Sequence, residues 1–291
     1  MNGPAPFFSP SHRTANRVVA PAGAARQGAR VLDVFVDALD LDEALRRIWR
    51  WARLPQSRMV CCSNVHSVVT AGSDARFRAV LAAADLVTPD GMPVAWMLRR
   101  LGYPQQARID GPGLMWRLCA LAARSGLPVY LYGNTPDTLE RLRTRLLATH
   151  PRLVLVGMHA PPFGPQDAAM EAADVARINR SGARLVFVSL GCPKQELWMA
   201  HHRDRLRTVL VGVGAAFDYH AGTLARAPRW MQAGGLEWVH RLGSEPARLW
   251  RRYAASNSVF MARALAQCVR TRRAEAARAQ VVPGIEDAFI E

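Results

Sequence analysis

The sequence has almost no lysine. Lys194 is the single one among 38 basic residues, which face 23 acidic residues for a net charge of +15. So strong an arginine bias reads as the signature of a GC-rich genome, and one lysine kept against it hints at a specific demand for an ammonium. Long apolar runs are also missing. The longest, around 129–132 and 185–190, fall far short of the ~20 residues a membrane span needs. The start lacks the charged-then-apolar order of a secretory signal, so the chain is expected to stay in the cytoplasm. Cysteine is sparse, and none of Cys61, Cys62, Cys119, Cys192 and Cys268 forms C-x-x-C or sits at zinc spacing with a histidine. Buried or incidental thiols are the reading that follows. Neither G-x-G-x-x-G nor G-x-x-x-x-G-K-[ST] occurs, which excludes a classical dinucleotide fingerprint and a P-loop. With no lysine but Lys194, the Tyr-x-x-x-Lys pair of Rossmann oxidoreductases and nucleotide-sugar epimerases is absent too.

What is present is a globular composition, 50% hydrophobic, with a strand-then-helix rhythm. Short apolar runs (VLDVFV, RMVCCSN, ADLVTPDG, PVYLYGN, LVLVGMH, ARLVFVSLG, TVLVGVGAAF) alternate with amphipathic stretches such as LDEALRRIWRWA and PDTLERLRTRLLATH. This predicts an α/β, Rossmann-like fold: a mainly parallel sheet with helices on both faces. Nearly continuous apolar strands fit a sheet covered on both sides. Residues 1–29 read as a disordered leader, 30–225 as the α/β domain, 226–275 as a basic helical appendage and 276–291 as a flexible tail. Between Arg226 and Arg273 lie ten arginines and two acids. Such a segment suits a polyanion: nucleic acid, an anionic membrane surface or pyrophosphate groups. Leu249, Tyr253, Phe260, Met261 and Leu265 are expected on one side of its last helix, facing lipid, the α/β domain or a second copy of the chain.

In open α/β sheets ligands bind beyond the carboxyl ends of the strands. The residues that follow each strand are therefore the candidates. Asn64 can cap a helix or touch ligand. Asp90, between Pro89 and Gly91, is either an N-cap or a well-held general base. Arg108 is a candidate anion clamp ahead of a glycine-opened helix. Gly133 and Asn134 begin a turn suited to anions. Lys194 can pair with phosphate and Gln195 can hydrogen-bond a sugar or base. Asp218 follows the last strand.

These segments, in order, resemble one family. G-C-P-K-Q-E-L-W (191–198), V-G-V-G-A-A-F-D-Y-H-A-G (211–222), R-A-P-R-W-M-Q (226–232), L-E-W-V-H-R-L (236–242) and E-P-A-R-L-W-R-R-Y (245–253), with N-V-H-S (64–67) and P-D-G-M (89–92), are similar to the WecG/TagA/CpsF bacterial glycosyltransferases. The resemblance implies an inverting transfer of a sugar from a UDP-sugar donor to a polyprenyl-diphosphate-linked acceptor, at the inner face of the plasma membrane. The best-known members transfer N-acetylmannosamine; others assemble exopolysaccharides with other hexoses. It implies Asp90 as catalytic base, Asn64, Arg108 and Gln195 in the pocket, and Arg241, Arg248 and Arg251 or Arg252 from an appendage that closes over the site and docks on the membrane. The resemblance leaves a homo-oligomer open. No cofactor is expected, and no Asp-x-Asp pair stands where many sugar-nucleotide transferases hold a divalent ion, so basic groups are expected to neutralise charge instead. Two positions depart from the pattern. Cys62 stands where threonine is common and Gly113 where aspartate is common, and both are expected to line the substrate pocket. A basic nucleic-acid-binding α/β protein is the alternative that the charge suggests, although no nucleic-acid-binding motif is present.

Overall fold

A computed structural model describes residues 26–280 apart from Pro165, with the side chains of Arg248 and of 275–280 outside the described set. Of the expected leader, residues 1–25 lie outside the described residues, as do 281–291 of the expected tail. The chain opens with a hairpin, β1 (Gly28–Val31) and β2 (Val34–Asp37), so structure begins inside the segment assigned to the leader. VLDVFV, expected as one strand, is instead broken at Leu32, whose φ of 54° turns the chain so that Val31 pairs antiparallel with Val34. The next elements are α1 (Leu41–Ala52), β3 (Arg58–Ser63), α2 (Val65–Ser73), α3 (Ala75–Ala82), β4 (Leu86–Pro89), α4 (Met92–Arg100) and α5 (Gly111–Ser125). They are followed by β5 (Val129–Gly133), α6 (Pro136–Thr149), β6 (Leu155–His159), α7 (Ala168–Arg180), β7 (Leu185–Ser189), α8 (Lys194–His202) and β8 (Val209–Gly212). The chain then runs through α9 (Ala216–Ala221), α10 (Arg229–Ala233), α11 (Glu237–Ser244) and α12 (Pro246–Gln280).

Strands β3 to β8 form one six-stranded sheet, ordered β4-β3-β8-β7-β5-β6, in which every pair is parallel. Side chains alternate across it with the two-residue period of a strand. Val60 and Cys62 of β3 join one core with Leu131, Phe187 and Val211, covered by α1, α5, α6 and α9. Met59 and Cys61 join the opposite core with Tyr132, Val188 and Leu210, covered by α2, α3 and α8. Both faces are covered, as the uninterrupted apolar strands require. The expected Rossmann-like α/β architecture is present. Burial pushes the Cys61, Cys62 and Cys119 thiols up, so they stay protonated.

The last helix behaves differently from its expected one-sided pattern. Leu249 and Phe260 are buried, with Ala264, while Met261 and Leu265 are 66% and 68% exposed. On a 3.6-residue period Met261 and Leu265 fall about a third of a turn or more from Phe260, so the apolar residues make two stripes. The inner stripe packs on α2. Polar bonds pin the same side: His66 on α2 meets Ser256 at 3.2 Å, Arg263 pairs with Asp33 at 2.6 Å, and Gln267 accepts from the Leu32 N–H at 2.9 Å. α12 is thus clamped to the α2 face and to the turn of the β1–β2 hairpin, and it continues past residue 275 to Gln280.

Candidate active site

A cleft of about 1040 Å³ opens at the carboxyl ends of the strands, beneath α11 and α12. Its floor comes from residues just past β3, β4, β5, β7 and β8, the position where parallel sheets offer backbone ends and helix starts to ligands. A cavity of this size stands at the upper end of the range of small-molecule sites.

Asp90 lies on this floor. Its N–H donates to the carbonyls of Ser63 and Thr88, at 2.9 and 3.0 Å, which fixes the backbone to β3 and β4. Gly91, at φ 98°, is the N-cap of α4, and no side chain caps that helix. A side chain is strained at that φ, so glycine lets the chain turn while leaving the Asp90 carboxylate uncommitted. The capping alternative therefore fails and the carboxylate is available for chemistry. Burial raises its pKa to about 6, opposed by the charges of Arg108, Arg226 and Arg241 and reinforced by Glu237. A carboxyl tuned to about 6 is mostly ionised at neutral pH and strong enough to accept a proton.

Asn64 lines the cleft and also caps α2, accepting the Ser67 N–H at 3.2 Å, so both of its readings hold. Asn134 sits at φ 66°, and its Nδ2 donates to Asp218 Oδ1 at 3.0 Å, joining the end of β5 to α9. Gly133 does not line the cleft. A Cβ there would stand 2.4 Å from the Ser189 carbonyl, so the glycine serves close approach of β5 to β7, a correction to its expected contact with ligand. Lys194 reaches the cleft rim, exposed, with Nζ 3.5 Å from the Gly164 carbonyl. Gln195 is buried; it accepts from the Gly214 N–H at 3.1 Å and donates to Glu196 at 2.8 Å. Its amide holds the loop after β8 in place, at the edge of the cleft. Cys62 lines the cleft as expected, but Gly113 does not. A Cβ at residue 113 would meet the Asp110 carboxylate at 2.6 Å, so glycine there makes room for Asp110.

Arg108 is not a free anion clamp. It donates to Glu237 at 2.6 Å and lies 3.6 Å from Asp110. Arg226 bonds Asp110 and lies 3.7 Å from Glu237. Two cations and two anions thus interlock α11 with the start of α5. Arg226 and Glu237 stand inside the motifs R-A-P-R-W-M-Q and L-E-W-V-H-R-L, so their signal was in the sequence, but nothing local showed that they meet each other and the charges of Arg108 and Asp110. Arg241 and Arg252 line the cleft; Arg251 does not, and lies over the exposed Trp250 ring, 5.3 Å from its centroid. Arg248 lies within α12, and its side chain is outside the described residues. Tyr219 supports the arginines from below, its ring centroid 5.8 Å from Arg241 and 6.0 Å from Arg226.

Beneath Gln195, Glu196 is buried, and one of its oxygens finds no partner among the described residues. Burial raises its pKa from 4.5 to about 7. The native state holds this proton more tightly than the unfolded chain does. Its stabilising effect is therefore full below about pH 4.5 and is lost as the pH rises through 7. Glu196→Gln is expected to raise Tm more at pH 8 than at pH 5, a difference of roughly 1–3 kcal/mol in unfolding free energy. Equal gains at the two pH values in calorimetry would show that Glu196 ionises without cost.

The comparison with known families agrees with this geometry. Residues 29–274, most of the chain, match the model of the Glycosyl transferase WecG/TagA/CpsF family.

Proposed function

From the premise that the chain belongs to the WecG/TagA/CpsF family of glycosyltransferases, we propose that it catalyses an inverting, metal-independent transfer of a hexose, N-acetylmannosamine or a relative, from a UDP-sugar to a polyprenyl-diphosphate-linked saccharide. The product would enter cell-surface or exopolysaccharide synthesis. The observation that carries the reading is Asp90: a carboxylate on the cleft floor, spent on no helix cap, with its pKa raised to about 6.

In the proposed reaction Asp90 takes the proton of an acceptor hydroxyl. That oxygen forms a bond to the anomeric carbon from the face opposite UDP, while the bond from that carbon to the diphosphate oxygen breaks and its electron pair leaves with UDP. The departing diphosphate needs positive charge. Arg241 and Arg252 supply it from above, and Lys194 lies at the rim. The start of α6, capped by Thr135 and bordered by Asn134, adds the positive end of a helix dipole at the same edge of the cleft. Arg108 and Arg226, held by Asp110 and Glu237, keep α11 seated and shape the field around Asp90.

The chain would work against the inner face of the plasma membrane as a peripheral protein. No helix among the described residues is long and apolar enough to cross a bilayer. The outer stripe of α12 and its arginines are the proposed contact with anionic lipid.

A donor screen tests the reading. Purified protein is incubated with a synthetic lipid-diphosphate acceptor and a panel of UDP-sugars, with and without EDTA, and UDP release is measured. Acceptor-dependent release from at least one donor, unchanged by EDTA, is the expected result. Release abolished by EDTA would remove the arginine-based account of the leaving group, and release only from other nucleotide diphosphate sugars would remove the UDP assignment.

A further inference from the structure

On the sheet face opposite α6, the first turn of α7 meets the end of α8. Glu171, His201 and His202 converge there, their ligand-type atoms all within 4.8 Å of one another. His201 Nε2 stands 3.3 Å from Glu171 Oε2. Two imidazole nitrogens and a carboxylate oxygen on a tetrahedral zinc ion, at bond lengths near 2.1 Å, would lie about 3.4 Å apart. The cluster therefore needs only small side-chain adjustment to reach ligand spacing.

His202 adds an independent observation. It is fully buried, and neither ring nitrogen finds a hydrogen-bond partner among the described residues. Its ring is wedged between Trp198 and His201, with centroids 4.7 Å from each. Buried polar atoms are nearly always satisfied, and an imidazole orphaned at both nitrogens calls for a partner. His201 is exposed and Glu171 half-buried, which gives an ion a path in from solvent and leaves room for a water ligand.

We infer that Glu171, His201 and His202 form a binding site for a divalent transition-metal ion, of the class that takes two imidazoles and a carboxylate, such as Zn²⁺. None of the three lines the catalytic cleft. The ion would tie the end of α8 to α7 and so brace the helix whose start carries Lys194 and Gln195. Metal spacing was not legible in the sequence, because the two histidines are adjacent and the carboxylate lies on the preceding helix.

The test uses the full chain stripped with a chelator and then titrated with ZnCl₂ by calorimetry, with Co²⁺ visible absorption as a report of coordination geometry. One ion per chain, a Tm that rises with Zn²⁺, and tetrahedral cobalt bands are expected. His201→Ala and Glu171→Gln, both at accessible positions, should each weaken Zn²⁺ binding at least about tenfold while leaving the circular dichroism spectrum and sugar transfer unchanged. Absence of saturable binding at one ion per chain would overturn the site. So would one-to-one binding whose affinity is unchanged in both variants.

Discussion

Asp90→Asn is expected to fold normally and to lose sugar transfer by about 10²- to 10⁴-fold in kcat, the range that general-base catalysis supplies. The substitution keeps shape and removes the proton acceptor together with its negative charge. Stability should move the other way. The native state raises the pKa of this carboxyl from 3.8 to about 6, so ionising it at neutral pH costs folding free energy, and a neutral amide avoids that cost. Lower activity with an equal or higher Tm is the combined outcome, which separates loss of a base from loss of the fold. The wild-type pH profile gives a third reading of the same group. A base acts when deprotonated, so kcat/KM should fall as pH drops through about 6, with a slope of one, and this limb should vanish in Asp90→Asn. Turnover near wild type in the variant, or a profile flat down to pH 4.5, would remove Asp90 from the reaction.

Much of this site was legible in the sequence because the fold is made of repeated local decisions. Each apolar run bounded by a helix start marks a strand end, and in a parallel sheet those ends lie together. Asn64, Asp90, Asn134 and Gln195 were found in that way, and all four line the cleft. The pairing of charges was not legible. Arg108 read as an anion clamp because its partner Glu237 lies on α11, far along the chain and brought near only when the appendage folds back. Gly133 was misread for a related reason. A glycine after a strand looks the same whether a ligand or the neighbouring strand approaches it, and here the Ser189 carbonyl does. The hairpin was hidden in VLDVFV because a leucine at φ 54° carries none of the usual turn chemistry. In α12 the heavy mixture of arginine and alanine blurred two apolar stripes into one.

Those two stripes decide how membrane association should be tested. Cutting the chain before Pro246 would remove Phe260 and Ala264 from the core as well as Arg252 from the cleft, so loss of activity would have several causes. The outer stripe can be changed alone. Trp250 and Leu265 are 52% and 68% exposed, and a spacing of fifteen residues returns them to the same side of the helix, while the exposed Met261 also lines the cleft and is left unchanged. Apolar groups beside Arg251 and Arg272 are the combination that sinks into an anionic lipid surface. The double variant Trp250→Ser, Leu265→Ser should keep its Tm within a few degrees, because neither side chain is buried and neither lines the cleft. It should lose most of its cosedimentation with vesicles containing phosphatidylglycerol. Transfer to a water-soluble, short-chain acceptor should be retained, while transfer to a full-length polyprenyl acceptor in vesicles should fall at least about tenfold, through effective concentration at the surface and not through chemistry. Undiminished vesicle binding would assign the stripe to another role. Parallel losses on both acceptors would place Trp250 and Leu265 in the catalytic machinery, although neither lines the cleft. Loss confined to the vesicle acceptor is the pattern that a surface-docked enzyme requires, since the same α12 presents Arg252 inward to the cleft and this stripe outward.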